Sequence, residues 1–299
     1  MHGNLFRAVM LAAQKGWDDW KYMDAEFFFV FIPLVFLLGI CIGSFLNVVI
    51  IRLPRGESLI KRSSHCMTCG AKIRVIDLIP VFSWLMLRGK CHSCGEKISA
   101  RYPIVESLTG LLFVADLLVF GWNWTTPLMW IFTAVLVVVG FMDWDTMEID
   151  LRVLAVILVI TIPYHFLAGI SIVDRLIGAA CISIPFFIIG EISGAVIKKR
   201  TGEKVRGIEL GDTLLMLAGG LYLGWKAVVP AAFIGIIVAA VVGMILKHVT
   251  GESKFAFGPY LCIGLLIGAM FGDEMITWYI SRLPHEETVN YYTSCILIH

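Results

Sequence analysis

The chain has 299 residues, of which 59% are hydrophobic and only 16% charged, and its mean hydropathy is +0.85. This composition excludes an ordinary soluble domain and predicts a polytopic membrane protein. The net charge of +1 says nothing of partners, because the charge is local rather than global, and no nucleic-acid partner is expected.

Residues 1–25 are mixed and polar, with Trp17, Asp18, Asp19 and Trp20 suited to a membrane interface, and no cleavable signal peptide is expected there. They form an N-terminal extracytoplasmic or interfacial segment. Residues 26–51 are long and apolar enough for a first transmembrane helix, since about 20 such residues cross a bilayer. That run ends in Gly43-Ser44-Phe45-Leu46-Asn47 and continues to Arg52-Leu53-Pro54. Ser44 and Asn47 stand three apart, so a helix places both on one face, as a binding surface or as a helix-packing seam.

Residues 52–103 are the one long polar insertion, with ten Lys or Arg against three acidic residues. The positive-inside rule places it in the cytoplasm. It carries Cys66-Met67-Thr68-Cys69 and Cys91-His92-Ser93-Cys94, separated by 21 residues, each pair followed by a glycine, Gly70 or Gly95. Two such knuckles aim four thiolates at one tetrahedral ion, and a cytoplasmic loop disfavours disulfides. Cys66, Cys69, Cys91 and Cys94 are therefore expected to hold a structural zinc ion, a closed site with no position left for substrate. The apolar stretch Leu78–Leu85 between the pairs suits the membrane surface. The other four cysteines, Cys41, Cys181, Cys262 and Cys295, read as small apolar residues.

Seven further apolar runs follow, at about 104–121, 126–142, 151–169, 174–197, 211–225, 228–247 and 255–280. With the first they predict an all-α polytopic protein of about eight transmembrane helices, carrying a small cytoplasmic zinc-binding loop domain. Residues 104–281 would form a seven-helix membrane domain and 282–299 a C-terminal tail. Counting from a cytoplasmic 52–103 loop, Asp143-Trp144-Asp145 arrives at the cytoplasmic end of its run. The next return reaches residues 198–206, with five basic residues against Glu203, so the charge rule independently agrees. Gly211-Asp212 follows at once. Both acidic motifs thus fall at the cytoplasmic side, and both chain ends outside. Gly211 places no side chain beside Asp212, and Gly258-Pro259 would re-angle the start of the last helix. Acids this close to apolar spans are functional candidates. Asp116, Glu191 and Asp273 also lie in or near spans: Asp273 reads as an anchor near the outer boundary, and Glu191 as a buried hydrogen-bonding group or a functional one, between which the sequence does not decide.

Together these stretches resemble the bacterial type IV prepilin peptidases, membrane aspartic proteases that also methylate their product. Gly43 to Pro54 is similar to the family's first-helix motif. The two cysteine pairs and Arg101-Tyr102-Pro103-Ile104-Val105-Glu106 resemble its cytoplasmic domain, Asp143 with Asp145 its first aspartate motif, and Gly211-Asp212 its second. Phe257-Gly258-Pro259 looks like its usual entrance to the last helix. The likeness covers about residues 28–275. It departs at Asp150, where a proline is usual, at Glu209, which replaces the first glycine of Gly-x-Gly-Asp, and at Leu214, where lysine is common.

The resemblance implies Asp143 and Asp212 as the catalytic pair, with Asp145 and Gly211 supporting. It implies cleavage after a glycine of the basic leader of a prepilin or pseudopilin, at the cytoplasmic face of the bacterial inner membrane. It further implies methyl transfer from S-adenosylmethionine to the new amino terminus. No nucleotide-binding glycine loop is visible in the sequence, so Gly43, Ser44, Asn47, Arg52, Pro54 and Glu106 are methyltransferase candidates by motif alone. Two carboxylates that hydrolyse a peptide must share one proton, since like charges a few ångströms apart do not both ionise cheaply. Competing readings are a proton or cation transporter and an inactive pilus-assembly scaffold. A transporter would bury its acids at mid-membrane in repeated halves, whereas these acids stand at span ends. The sequence carries no signature of oligomeric state.

Overall fold

The computed structural model describes residues 25–60, 64–66, 68–202, 207–251 and 255–282. All but the last residue of the N-terminal segment, nearly all of the C-terminal tail, Cys295 and the middle of the 198–206 loop lie outside these.

The described residues are helical apart from turns and two isolated bridges. In chain order they form α1 (Ala25–Arg52), α2 (Phe82–Met86), α3 (Arg101–Phe120), α4 (Thr126–Thr146) and α5 (Leu151–Ala168). There follow α6 (Ile172–Thr201), α7 (Leu210–Leu223), α8 (Trp225–Thr250) and α9 (Gly258–Ile280). Seven of these are long and apolar enough to cross a membrane. The eighth expected span, α7, is shorter, 14 residues rising about 21 Å at 1.5 Å each against a hydrocarbon core of roughly 30 Å. Yet it runs beside α6 from the Asp212 end of the bundle to the end that carries Trp225. Gly224 ends it, at φ 81°, and α8 starts one residue later.

A short α7 survives because its neighbours bury it. Leu215, Met216 and Tyr222 have no exposed surface and join Leu136, Leu261 and Leu265 in the main core. Tyr222 is stacked between Phe132 and Tyr164, with ring centroids at 4.5 and 4.2 Å. Arg175 of α6 donates to the carbonyls of Leu221 and Tyr222 at 2.8 and 2.7 Å, satisfying acceptors at the end of α7.

Elsewhere small residues set the spacing. A Cβ on Gly43 of α1 would stand 2.8 Å from the Glu106 Cα of α3, and one on Gly264 of α9 would stand 2.2 Å from the Ala231 carbonyl of α8. Such close crossings substitute packing for the hydrophobic force that lipid does not supply.

The polar insertion folds as two matched knuckles. Gly70 and Gly95, at φ 70° and 71°, donate to the carbonyls of Cys66 and Cys91, both at 2.9 Å. Antiparallel bridges His65–Lys72 and Lys90–Lys97 flank them. Between the knuckles a 3-10 turn (Val75–Leu78) and α2 expose Ile76, Phe82 and Met86, an apolar surface that matches the expected membrane-resting stretch.

Candidate active site and cofactor cavity

Four long-range contacts gather one end of the bundle. Asn47 Nδ2 of α1 donates to the Tyr102 carbonyl of α3 at 3.2 Å. Arg152 at the start of α5 donates to the Leu53 carbonyl at 3.1 Å. Arg101 pairs with Asp145 of α4. The Gly258 backbone N–H of α9 donates to Asp143 Oδ2 at 2.9 Å. The cysteine insertion, both acidic motifs and the Gly-Pro helix start thus occupy the same end.

Asp143 and Asp212 are each only 4% exposed. They act on each other electrostatically, and the charges of both reach the buried Cys262 of α9. Asp212 is the third residue of α7, and its Oδ2 accepts the Glu209 backbone N–H at 3.3 Å, tying it into the cap of its own helix.

The missing side chain of Gly211 makes room for a specific neighbour. It is helical without a positive φ, and a Cβ there would meet the Ile149 side chain at 2.9 Å. Its bareness lets the loop after α4 close over the start of α7, which brings the two aspartate motifs together.

Asp145 is exposed and engaged by Arg101, whose guanidinium lies over the Phe141 ring at 5.7 Å. The structure therefore separates the two acids of the first motif, one turned into the bundle and one held in a surface ion pair. Arg101 went unnoticed as a partner because 44 residues separate it from Asp145.

The three departures from the family pattern have local explanations. Asp150 caps α5, accepting the Arg152 N–H at 2.8 Å and pairing with its guanidinium, which holds the Asp150 carboxyl below its ordinary range. A proline at that point would also start a helix, so the replacement preserves the architecture. Leu214 packs partly buried against the core. Glu209 caps α7 and adds a negative charge that reaches both Asp143 and Asp212.

The four cysteine thiols lie within 4.8 Å of one another, and Cys66 and Cys94 are 3.9 Å apart. Zn–S bonds of about 2.3 Å in a tetrahedron separate sulfurs by about 3.8 Å, so the donor set fits a four-coordinate ion.

Beside this cluster lies a cavity of about 620 Å³. Ser44, Asn47, Arg52 and Glu106 line it from the helices, with Trp84, Cys66 and Cys91 among the residues contributed by the insertion. Its size is in the range of small-molecule sites, about 300–1,000 Å³. Asn47 is 2% exposed, and its Oδ1 has no hydrogen-bond partner. A buried acceptor with nothing to accept from suits a ligand that brings a donor. Glu106 accepts the Val81 N–H at 2.7 Å and meets the Ser44 hydroxyl, linking α1, α3 and the insertion at the cavity wall. Gly43 lies behind Glu106 at the helix crossing. Pro54 is exposed and does not line the cavity.

Comparison with known proteins agrees with this division. Residues 37–120 match the bacterial peptidase A24 N-terminal domain, and residues 130–244 match the type IV leader peptidase family. A prepilin leader peptidase/N-methyltransferase of Aeromonas hydrophila is 34% identical over 281 residues, covering 85% of this chain and 95% of that protein. The Neisseria gonorrhoeae protein of the same name is 32% identical over 286 residues, covering 84% and 95%. Another, from Myxococcus xanthus (strain DK1622), is 34% identical over 233 residues, covering 75% of this chain and 65% of that protein. No solved structure matches. With two adjoining domain matches and two of these relatives aligned over 95% of their own length, the chain belongs to the type IV leader peptidase family.

Proposed function

We propose that this enzyme cleaves the leader of type IV prepilins or pseudopilins with Asp143 and Asp212, and then methylates the new amino terminus at the insertion-side cavity. The observation that carries the reading is the placing of two nearly fully buried carboxylates, 69 positions apart in the sequence and on different helices, within electrostatic reach at one end of an apolar bundle.

In hydrolysis one carboxylate takes a proton from water as the water oxygen attacks the scissile carbonyl carbon. The other, protonated, donates to the carbonyl oxygen. Collapse of the tetrahedral adduct expels the amine, which takes a proton as it leaves. The pair needs one proton between its two members at the outset. Gly211 and the Ile149 loop hold the motifs together, and Asp145 supports through Arg101.

For methylation, Asn47, Arg52 and Glu106 would hold the donor, and Ser44 and Gly43 would shape the wall. S-adenosylmethionine supplies an electrophilic methyl group to the unprotonated amine. Zinc held by Cys66, Cys69, Cys91 and Cys94 would fix the insertion that closes this cavity.

Residues 26–51 and 52–103 then serve the methyl-transfer half, with the four-cysteine insertion cytoplasmic, while 104–281 is the peptidase. The enzyme sits in the bacterial inner membrane with its site facing the cytoplasm and both termini outside, so a basic leader joined to an apolar helix meets the aspartates at the membrane surface. Purified enzyme incubated with a prepilin and S-adenosylmethionine should yield product lighter by the leader and heavier by one methyl group. Product lacking the leader cut would overturn the peptidase reading, and cut but unmethylated product would overturn the second activity.

A further inference from the structure

We propose that Gly258 is the positioning residue of the peptidase. Its backbone N–H fixes the Asp143 carboxylate, and its missing side chain makes the space that carboxylate occupies. The inference rests on Asp143 being one of the proposed catalytic pair.

The Gly258 N–H stands at the start of α9. The first N–H groups of a helix have no partner within it. Here Pro259 has none to give, while Tyr260 and Leu261 donate back to the Phe257 carbonyl at 3.2 and 3.4 Å. The Gly258 N–H reaches instead across 115 residues of sequence to Asp143 Oδ2 at 2.9 Å. An N–H at a helix N-terminus is well suited to a carboxylate, since it adds the positive end of the helix dipole to the hydrogen bond.

The second observation is steric and independent of the first. A Cβ on Gly258 would stand 2.8 Å from Asp143 Oδ2 and 3.1 Å from its Cγ. At that separation an alanine would push the carboxylate away from the donor that holds it. A Cβ on Gly140, one turn before Asp143, would meet the Pro259 Cα at 3.7 Å and the Cys262 Cβ at 3.8 Å, ordinary contact distances, so where α4 meets α9 here it is Gly258 whose bareness is sterically required. With Oδ2 held by the backbone, Oδ1 is the oxygen left for water and for the proton shared with Asp212.

The test measures cleavage and methylation separately in the full-length protein in nanodiscs. Gly258→Ala should lower kcat for leader cleavage about 10²-fold, the usual scale for displacing a reacting group by about an ångström, with KM nearly unchanged. Methylation of pre-cleaved product should persist. Because the alanine could disturb folding, a second variant carries glycolic acid at position 258 by cell-free nonsense suppression, replacing the N–H with an ester oxygen and adding no atom to the side. It should show the same kcat loss. Wild-type kcat in the ester variant would overturn the proposal, as would a KM rise with unchanged kcat in Gly258→Ala. Asp143→Asn is run alongside: full cleavage by that variant would instead remove the reading on which the proposal rests.

Discussion

At the residue scale, the proposed chemistry turns on the separation of Asp143 from Asp145. The two acids differ by two positions on a helix, which turns them about 200° apart. One is buried beside Gly258 and the other is exposed beside Arg101. Asp143→Asn and Asp212→Asn should each reduce leader cleavage by on the order of 10³-fold or more, and the double mutant should be little worse, as expected of groups acting as one unit. Asp145→Asn should cost far less, because it removes a surface ion pair rather than a proton carrier. Cleavage rates at matched expression check this, and loss with Asp145→Asn but not Asp143→Asn would move the role along the motif. Glu209 gives a second expectation. Burial, then the Glu148 charge, raise its carboxyl above the ordinary glutamate value. A group whose pKa rises on folding contributes stability that is full below its unfolded value, about 4.3, and is lost as pH climbs through the folded one. Glu209→Gln keeps an oxygen for the helix cap and never ionises. Its Tm relative to wild type should therefore be higher at about pH 7.5 than at about pH 4, and an equal difference at both would contradict the shift.

At the element scale, the insertion and the crossing of α1 with α3 act together. The cysteine site is expected to bind about one zinc ion per chain, and Cys66→Ser or Cys91→Ser should lower metal content and expose residues 52–103 to protease, since binding and folding are one equilibrium in such sites. Elemental analysis and limited proteolysis read both, and full occupancy after loss of two cysteines would refute the four-thiolate site. Gly43→Ala places a methyl against backbone rather than against a yielding side chain, so it must part the helices that carry Asn47 and Glu106. Methylation should fall at least tenfold for Gly43→Ala and for Asn47→Ala, with cleavage much less affected; the reverse pattern would exchange the roles of the two sites. Elements of this kind were legible in the sequence because apolar runs, knuckle glycines and cysteine spacing are local. What was not weighed is the shortness of α7: the run read at 211–225 matches it within two residues, yet it was counted as a span although about 20 residues are needed to cross. The turn at Gly224, supported by Arg175 from another helix, closes it. Gly211 was noticed for its bareness, but not the neighbour that needs it, since Ile149 comes from another segment. Arg101 with Asp145, Gly258 with Asp143 and Val81 with Glu106 depend on packing between segments, which no single window of sequence contains.

At the scale of the whole molecule, the two ends of the bundle differ in chemistry as a cytoplasmic and an outer face should. The end that holds the aspartates and the insertion also carries Arg52, Arg55, Lys198, Lys199, Arg200 and Lys247. The opposite end carries Trp122, Trp124 and Trp225, with Asp174 accepting from Trp225 Nε1 at 2.9 Å. Excess Lys and Arg on one side and tryptophan at an interface are what orient a multi-pass protein. A cytoplasmic site also matches the order of the two reactions, because the new amine appears at the same end as the cavity. Trp124→Cys and Lys199→Cys test this directly: Trp124 is 81% exposed in the turn between α3 and α4, and Lys199 is exposed near the end of α6. In intact cells a membrane-impermeant maleimide should label Trp124→Cys above the background of native thiols and leave Lys199→Cys unlabelled until the membrane is opened. Labelling of Lys199→Cys in intact cells would place the aspartates on the outer face, away from a leader that has not crossed the membrane, and the proposed reaction would lose its substrate.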